Sequence, residues 1–327
     1  TYLVALEKDP NDKSKLRPLG VPAAVRRITG VLILMQYRTD FATYLLPFNY
    51  AVGVNGGVDL ITNTVRLAVD KYIVQKEARG ELPTRSLVSL DIVNMFNAVS
   101  RRRLRTIIAR EFPELANFAD LLYEQEGSTA VKLADGTWHY IPVREGFSQG
   151  CPMSPVFAAL VLDEILKKID GELRERARVR KYVDRKPGDD HEGGIPLLLA
   201  YVDDCNCVLP HIDVEFFLQQ FKRYGEPLGA VMNTTKTRIM TATNGKKTSD
   251  ALKRGPPGFG WRTIGFSLAA AVAAFSTKPV LGVPVGVEVT DGLRVLGAPI
   301  GSQSFCHDFI NEAMSKASSD SKKILAG

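Results

Sequence analysis

The feature that most limits what this chain can fold into is a pair of acids at the end of an apolar run. Leu197-Leu-Leu-Ala-Tyr-Val202 carries no charge and ends in Asp203-Asp204, after which Cys205 to Leu209 is largely apolar again. Two short apolar stretches around a polar break read as strands that fold back on each other, turning at Val202-Asp203-Asp204. A third acid, Asp91, closes another short apolar stretch, Leu87-Val-Ser-Leu-Asp91. Taken alone, Asp-Asp is most often an ordinary solvated turn. Carboxylates beside strands this apolar are costly unless a cation offsets their desolvation, so the sequence points to a divalent metal site. Oxygen-only ligands favour Mg²⁺, with Mn²⁺ as a substitute. Two such ions about 3.5–4 Å apart can activate a 3′-hydroxyl and stabilise a leaving pyrophosphate.

The rest of the 327-residue chain is ordinary globular material, 45% hydrophobic and 24% charged, and its length suits two or three subdomains that share cores. The net charge is +6, with basic clusters at Arg101-Arg102-Arg103, Arg174 to Lys186, Lys246-Lys247 and Lys253-Arg254. That balance is compatible with a polyanionic partner, although such runs are commonly solvated faces. Cys151, Cys205, Cys207 and Cys306 are too few and too irregular for a disulfide framework, and Cys205-Asn206-Cys207 lacks zinc-knuckle spacing. Reduced thiols in the nucleus or in a cytoplasmic ribonucleoprotein fit best, rather than secretion. No run reaches the roughly twenty apolar residues of a membrane span, and no signal-peptide layout opens the chain. A start at Thr1 suggests a piece of a larger protein.

Along the chain, residues 1 to 22 read as two strands around a polar turn, and Ala23 to Leu46 as one helix ending before Pro47. Ser100 is a good N-cap for a helix over Arg101 to Glu111. Thr129 to Val143 alternates around an Asp135-Gly136 turn, as a hairpin does. A loop over 144–155 precedes a helix from Ser154 to about Leu173. Residues 185 to 195 form a loop by composition, and Asp213 to Leu228 an amphipathic helix. Arg238 to Thr241 is a short strand and Leu293 to Ile300 one more, separated by a Gly, Pro, Ala and Lys-rich insertion over 243–290 with a short helix near Ala269 to Ala274.

The order of several segments resembles a known family. Lys15-Leu-Arg17-Pro-Leu-Gly-Val-Pro22, Ser89-Leu-Asp91-Ile-Val-Asn-Met-Phe96-Asn97, Gly146-Phe-Ser-Gln149-Gly150-Cys-Pro-Met-Ser154-Pro155 and Ala200-Tyr201-Val202-Asp203-Asp204 resemble the finger, A, B and C motifs of reverse transcriptases. Gly229-Ala-Val-Met-Asn233-Thr-Thr-Lys236-Thr resembles motif D, and Leu293-Arg-Val-Leu296-Gly297-Ala-Pro-Ile300 motif E. Within the family the likeness is greatest to non-LTR retrotransposon and group II intron enzymes, and in phrasing to elements that insert into spliced-leader genes. Val202 stands where Ala is usual in the non-LTR form, and Asn97 where Asp often follows the aromatic.

The resemblance implies an α+β fold: the fingers and palm of a right-hand polymerase, an antiparallel palm sheet packed on helices, and most of the thumb absent. It divides the chain into fingers over 1–86, motif A over 87–112, a connection over 113–145, motifs B to D over 146–242, the insertion over 243–290, a primer grip over 291–305 and the start of a thumb over 306–327. By resemblance Asp91 and Asp203 bind two Mg²⁺ ions, Asp204 supports them and the Ile92 carbonyl completes a metal shell. Phe96 gates against a ribose 2′-hydroxyl, although Phe is usually a core residue. Gln149 and Gly150 let a loop approach the templating pair, Lys8 and Arg17 clamp the triphosphate, and Lys236 protonates the leaving pyrophosphate. Tyr201 and Val202 lie beneath the primer end, and Leu296 and Gly297 belong to the primer grip. The implied partners are an RNA template, a DNA primer or target, dNTPs and host or ribonucleoprotein subunits. Arg101, Arg102 and Arg103 are candidates for the duplex backbone, or a solvated helix face. An RNA-dependent RNA polymerase would use a polar residue where Phe96 stands. A reading from another class is a catalytically silent RNA-binding scaffold, against which three intact aspartates argue.

Overall fold

A computed structural model of the protein describes residues 2–7, 16–81, 83–133, 135–183, 196–241 and 288–326. In chain order it runs β1 (Tyr2–Glu7), β2 (Leu16–Val21), α1 (Ala24–Gln36), α2 (Arg38–Leu45), α3 (Gly57–Val69), α4 (Gln75–Ala78), β3 (Arg85–Leu90), α5 (Met95–Ala98), α6 (Arg101–Glu111) and α7 (Ala116–Tyr123). Then follow β4 (Gly127–Lys132), β5 (Trp138–Val143), α8 (Ser154–Val183), β6 (Leu197–Tyr201), β7 (Asp204–Pro210), α9 (His211–Gly225), β8 (Arg238–Met240), β9 (Glu288–Thr290), β10 (Gly292–Val295), β11 (Ala298–Gly301) and α10 (Gln303–Ala326). The insertion read over 243–290 lies almost wholly outside the described residues.

Why the strands around Asp91 and Asp203 are apolar without alternation follows from what covers them. The central sheet has the order β6-β7-β3-β8-β9, antiparallel except for β8 and β9, which run parallel. Period-two geometry sends alternate side chains to opposite faces. Val88, Leu90, Cys205, Cys207, Leu209, Leu198 and Ala200 enter one core, which the inner residues of α6, α8 and α9 fill. Leu87, Val208, Leu199 and Met240 enter a second core with Ile61, Val65 and Val69 of α3 and Leu293, Val295 and Ile300 of β10 and β11. With both faces covered, most positions are apolar, and Ser86 of β3 and Asn206 of β7 are buried polar exceptions. Each fully buried aliphatic side chain contributes roughly 1.5–3 kcal/mol relative to exposure. A second sheet, β2-β1-β4-β5, is built from the expected strand pair and the expected hairpin, whose turn residue Gly136 has φ +85°.

Three expectations change. Ala23 to Leu46 is two helices, parted at Tyr37, and the apolar spacing that predicts one helix lies largely on the outside. Val25, Ile28, Leu32 and Met35 are 74%, 61%, 59% and 72% exposed, while α1 turns its small Gly30 inward against Pro152 and Met153. The helix starting at Ser154 continues to Val183, because no Gly or Pro breaker intervenes after Gly171 and Asp170–Arg174 and Glu175–Arg178 pair along it. Leu293 to Ile300 is a hairpin, not one strand: Val295 pairs with Ala298 around Leu296 and Gly297, with φ of 47° and 93°. Two positive φ values suit the right-handed strand twist.

Candidate active site

The sheet brings the acids together by register. The β3–β7 ladder ends with Leu90 opposite Cys205, so Asp91 and Asp204 are the next residues on neighbouring strands. Tyr201 pairs with Asp204 around the two-residue turn Val202-Asp203, in which Val202 has φ +57°. The segment after Asp91 is fixed on its other side: the Asp91 N–H donates to Thr237 Oγ1 at 3.4 Å, its carbonyl accepts from Asn233 N–H at 2.8 Å, and Val93 N–H donates to Val231 O at 2.8 Å. Ile92 therefore faces Met232 as a non-hydrogen-bonded pair, which turns its carbonyl away from Met232 and toward the β7 side. Thr237 and Asn233 were not among the expected site residues. Their signal is local, since they flank Lys236 in the motif D stretch.

Charge at this strand end is unbalanced. The Asp204 carboxyl is held above the usual carboxylate range, first by desolvation and then by the neighbouring Asp91, with Arg294 of β10 opposing. Lys236 Nζ lies 3.7 Å from Asp91 Oδ2. Oxygen donors of like charge side by side, one of them resisting ionisation, suit a divalent cation as shared counter-charge. The expected cluster of all three aspartates is not closed: among the described residues no group of three or more His, Cys, Asp or Glu could hold an ion. Asp91 and Asp204 share the strand end, whereas Asp203 occupies the turn, and like charges resist gathering more tightly.

The loop after β5 is docked on both the Asp91 segment and β2. Gly146 (φ +73°) donates its N–H to Val99 O at 2.9 Å, and Phe147 N–H donates to the Phe96 carbonyl. A Cβ on Gly146 would fall 2.2 Å from the Asn97 carbonyl carbon, so this contact requires glycine. Ser148 Oγ donates to Gly20 O at 3.2 Å, and a Cβ on Gly150 would lie 2.0 Å from that same oxygen. Gly150 thus has a role within the fold, closing the loop on β2, with half-buried Gln149 beside it. Phe96 is half-buried and packs on the main core. Arg17 lies on β2 opposite Leu6, and Lys8 lies outside the described residues. Tyr201 and Leu296 both pack on the second core, so the turn of β10–β11 and the foot of the Asp203 turn rest on shared ground.

The arginine reading needs correction. Arg101 is buried: Nε donates to Gly146 O and Nη1 to Val143 O, each at 2.7 Å, over the Tyr123 ring. Arg103 pairs with Glu164 through two nitrogens. Both are structural and leave exposed Arg102 alone for a duplex. His211 is half-buried, with Nδ1 2.6 Å from Ser86 Oγ and Nε2 2.8 Å from Pro83 O. Trp138 of β5 is 52% exposed. The cysteines are free thiols, and burial pushes Cys207 up to about 12.

Residues 8–300 match the family described as Reverse transcriptase (RNA-dependent DNA polymerase). Protein YkfC of Escherichia coli (strain K12) is 27% identical over 169 residues, 51% of this chain and 40% of that protein. Among solved structures, apo telomerase from Candida tropicalis truncated from its C-terminal domain is similar at 15% identity and TM-score 0.45, covering 73% of this chain and 49% of that one. Telomerase from Candida albicans in complex with a TWJ fragment of telomeric RNA is similar at 14% identity and TM-score 0.45, covering 73% and 42%. The chain spans less than half the length of each of these proteins. With the family matched over most of its length, the chain belongs to the reverse transcriptases.

Proposed function

We propose that this chain is an RNA-directed DNA polymerase that extends a primer 3′-hydroxyl with dNTPs on an RNA template, in the service of target-primed retrotransposition by a non-LTR element. The observation that carries the reading is the register placing Asp91 beside Asp204 at the ladder's end, next to the Val202-Asp203 turn. Residues 1–86 act as fingers, 87–112 and 146–242 as palm, 291–305 as primer grip and 306–327 as the start of the thumb. Asp91 and Asp204, with Asp203 from the turn and the Ile92 carbonyl, would hold divalent cations. Bound Mg²⁺ supplies Lewis-acid activation of the attacking hydroxyl and neutralises phosphate charge.

The chain's own groups then do the positioning that phosphoryl transfer chiefly needs. Phe96 supports the sugar and excludes a 2′-hydroxyl, and Gln149 with Gly150 backs the templating base. By the motif resemblance, Arg17 and Lys8 are assigned to clamp the triphosphate. Lys236, already beside Asp91, is placed to give a proton to the departing pyrophosphate. Tyr201, Val202, Leu296 and Gly297 hold the primer end.

A primer-extension assay on an RNA template with Mg²⁺ tests this. Incorporation of dNTPs that falls at least about a hundredfold in Asp203→Asn is expected. RNA binding with no incorporation by the unaltered chain would replace the polymerase with a scaffold.

A further inference from the structure

We propose that Asn49 is a positioning residue for the Asp203-Asp204 turn, a role that rests on the polymerase reading above for its catalytic consequence. Asn49 is fully buried. Its segment lies along β6: Ala200 N–H donates to Phe48 O at 2.7 Å, and Tyr50 N–H donates to Ala200 O at 3.0 Å. From there the side chain reaches past the end of the strand. Nδ2 donates to Val202 O at 3.1 Å, and Oδ1 accepts from Val202 N–H at 3.3 Å and from Ala51 N–H at 3.1 Å. Both peptide groups of one turn residue are thereby held by a single amide, as a neighbouring strand would hold them.

Val202 is the residue that needs this. A β-branched side chain at φ +57° is a true outlier, and such a conformation persists only where its surroundings over-determine it. The chain accepts that conformation at the residue immediately before Asp203. Hydrogen bonding orients the amide without ambiguity: two N–H donors face Oδ1, and one carbonyl faces Nδ2. No other side chain of this size offers a donor and a double acceptor. Aspartate has the shape but no donor, so it would set a carboxylate against the Val202 carbonyl, close to two further acids. The strand-by-strand geometry of β3 and β7 brings Asp91 to Asp204; Asn49 sets the direction in which the turn presents Asp203.

The experiment compares the full chain with Asn49→Asp, Asn49→Ala, Val202→Gly and Asn49→Ala/Val202→Gly. Glycine adopts positive φ without strain, so Val202→Gly removes the need for the clamp. Single-nucleotide extension is expected to show kcat reduced about tenfold to a hundredfold in Asn49→Asp and Asn49→Ala, with KM for dNTP within about twofold. Read against Val202→Gly as its own background, whatever activity that variant keeps at the primer end, Asn49→Ala should cost much less than it costs in the unaltered chain. Equal losses with and without Val202→Gly, or a rise in KM with kcat unchanged, would overturn the assignment. Amide exchange followed by mass spectrometry judges the clamp without activity: faster exchange confined to 200–205 in Asn49→Asp is expected, and unchanged protection there overturns it. If the unaltered chain incorporates nothing, the polymerase reading fails while the exchange result still decides the clamp.

Discussion

Lys236 and Asp91 form an ion pair across two motifs, Nζ to Oδ2 at 3.7 Å, with the lysine 56% and the aspartate 36% exposed. Any divalent cation bound by Asp91 shares that carboxylate with the lysine. Removing the amine in Lys236→Gln should therefore lower the Mg²⁺ concentration for half-maximal incorporation by about two- to fivefold, the range of a half-exposed pair. If Lys236 also supplies a proton, the maximal rate falls in the same variant. A Mg²⁺ titration of primer extension reads both, and a raised Mg²⁺ requirement would contradict the competition.

Asp204 should trade stability for activity. Its raised carboxyl means the folded chain holds that proton more tightly than the unfolded chain does. Stability from this group is present at low pH and lost as pH rises through its folded-state value. Asp204→Asn removes the burden and should raise neutral-pH stability in EDTA slightly, by less than about 1 kcal/mol given solvent screening, seen as a small rise in melting point, while abolishing extension. A lower melting point would show that the carboxylates do not repel.

Two desolvated groups, buried Asp163 and half-buried His211, give opposing pH slopes. Burial raises Asp163 from 3.8 to about 7, with Lys167 opposing, so its stabilisation is lost as pH climbs through about 7. Burial lowers His211 from 6.5 to about 4, so its contribution is present above 6.5 and lost as pH falls toward 4. Between about 4 and 6.5 the two offset each other. Asp163→Asn should unmask a rise in stability with pH of up to about 1.4 kcal/mol per unit across that window. Urea unfolding at several pH values would detect it, and parallel curves for the two proteins would refute it.

Phe96 is half-buried on the main core, with its carbonyl bound to Phe147 N–H. Shortening the side chain in Phe96→Val leaves that backbone bond in place and opens space beneath the sugar. The ratio of ribonucleotide to deoxynucleotide incorporation should rise by about ten- to a hundredfold. An unchanged ratio would return Phe96 to the core as a packing residue.

Gly150→Ala should cost about 1–3 kcal/mol of stability, because its Cβ would meet the main-chain oxygen of Gly20 and neither strand nor loop can yield cheaply. Gly136→Ala, with nothing within 4 Å, tests the backbone term alone at φ +85°, which is worth about 1 kcal/mol. Chemical unfolding of the two variants compares them, and an equal effect would mean the loop-to-β2 approach is not tight.

Much of this was readable from local signals. The Asp135-Gly136 hairpin, the Ser100 cap and the strands meeting at Asp203 each depend on residues within a few positions, and the motif order added their relation. Contacts between distant segments left no such trace. Asn49 lies 153 residues from Val202 and follows a proline in a loop without periodicity. The stripe on α1 shows that periodicity reports an apolar face and not its direction. Local propensity hides the turn at Leu296-Gly297 because leucine seldom adopts positive φ, whereas the resemblance to motif E implies a tight strand turn there.

Val65 of α3 is fully buried, and the core it belongs to carries Leu199 and Val208 from the strands around the Asp203 turn together with Val295 and Ile300 of the β10–β11 hairpin. The spacing between the spot where a nucleotide would react and the spot where a strand end would rest is consequently gauged by the thickness of aliphatic packing on one remote helix. Trimming a methyl group there shifts the alignment of two stations without altering either of them.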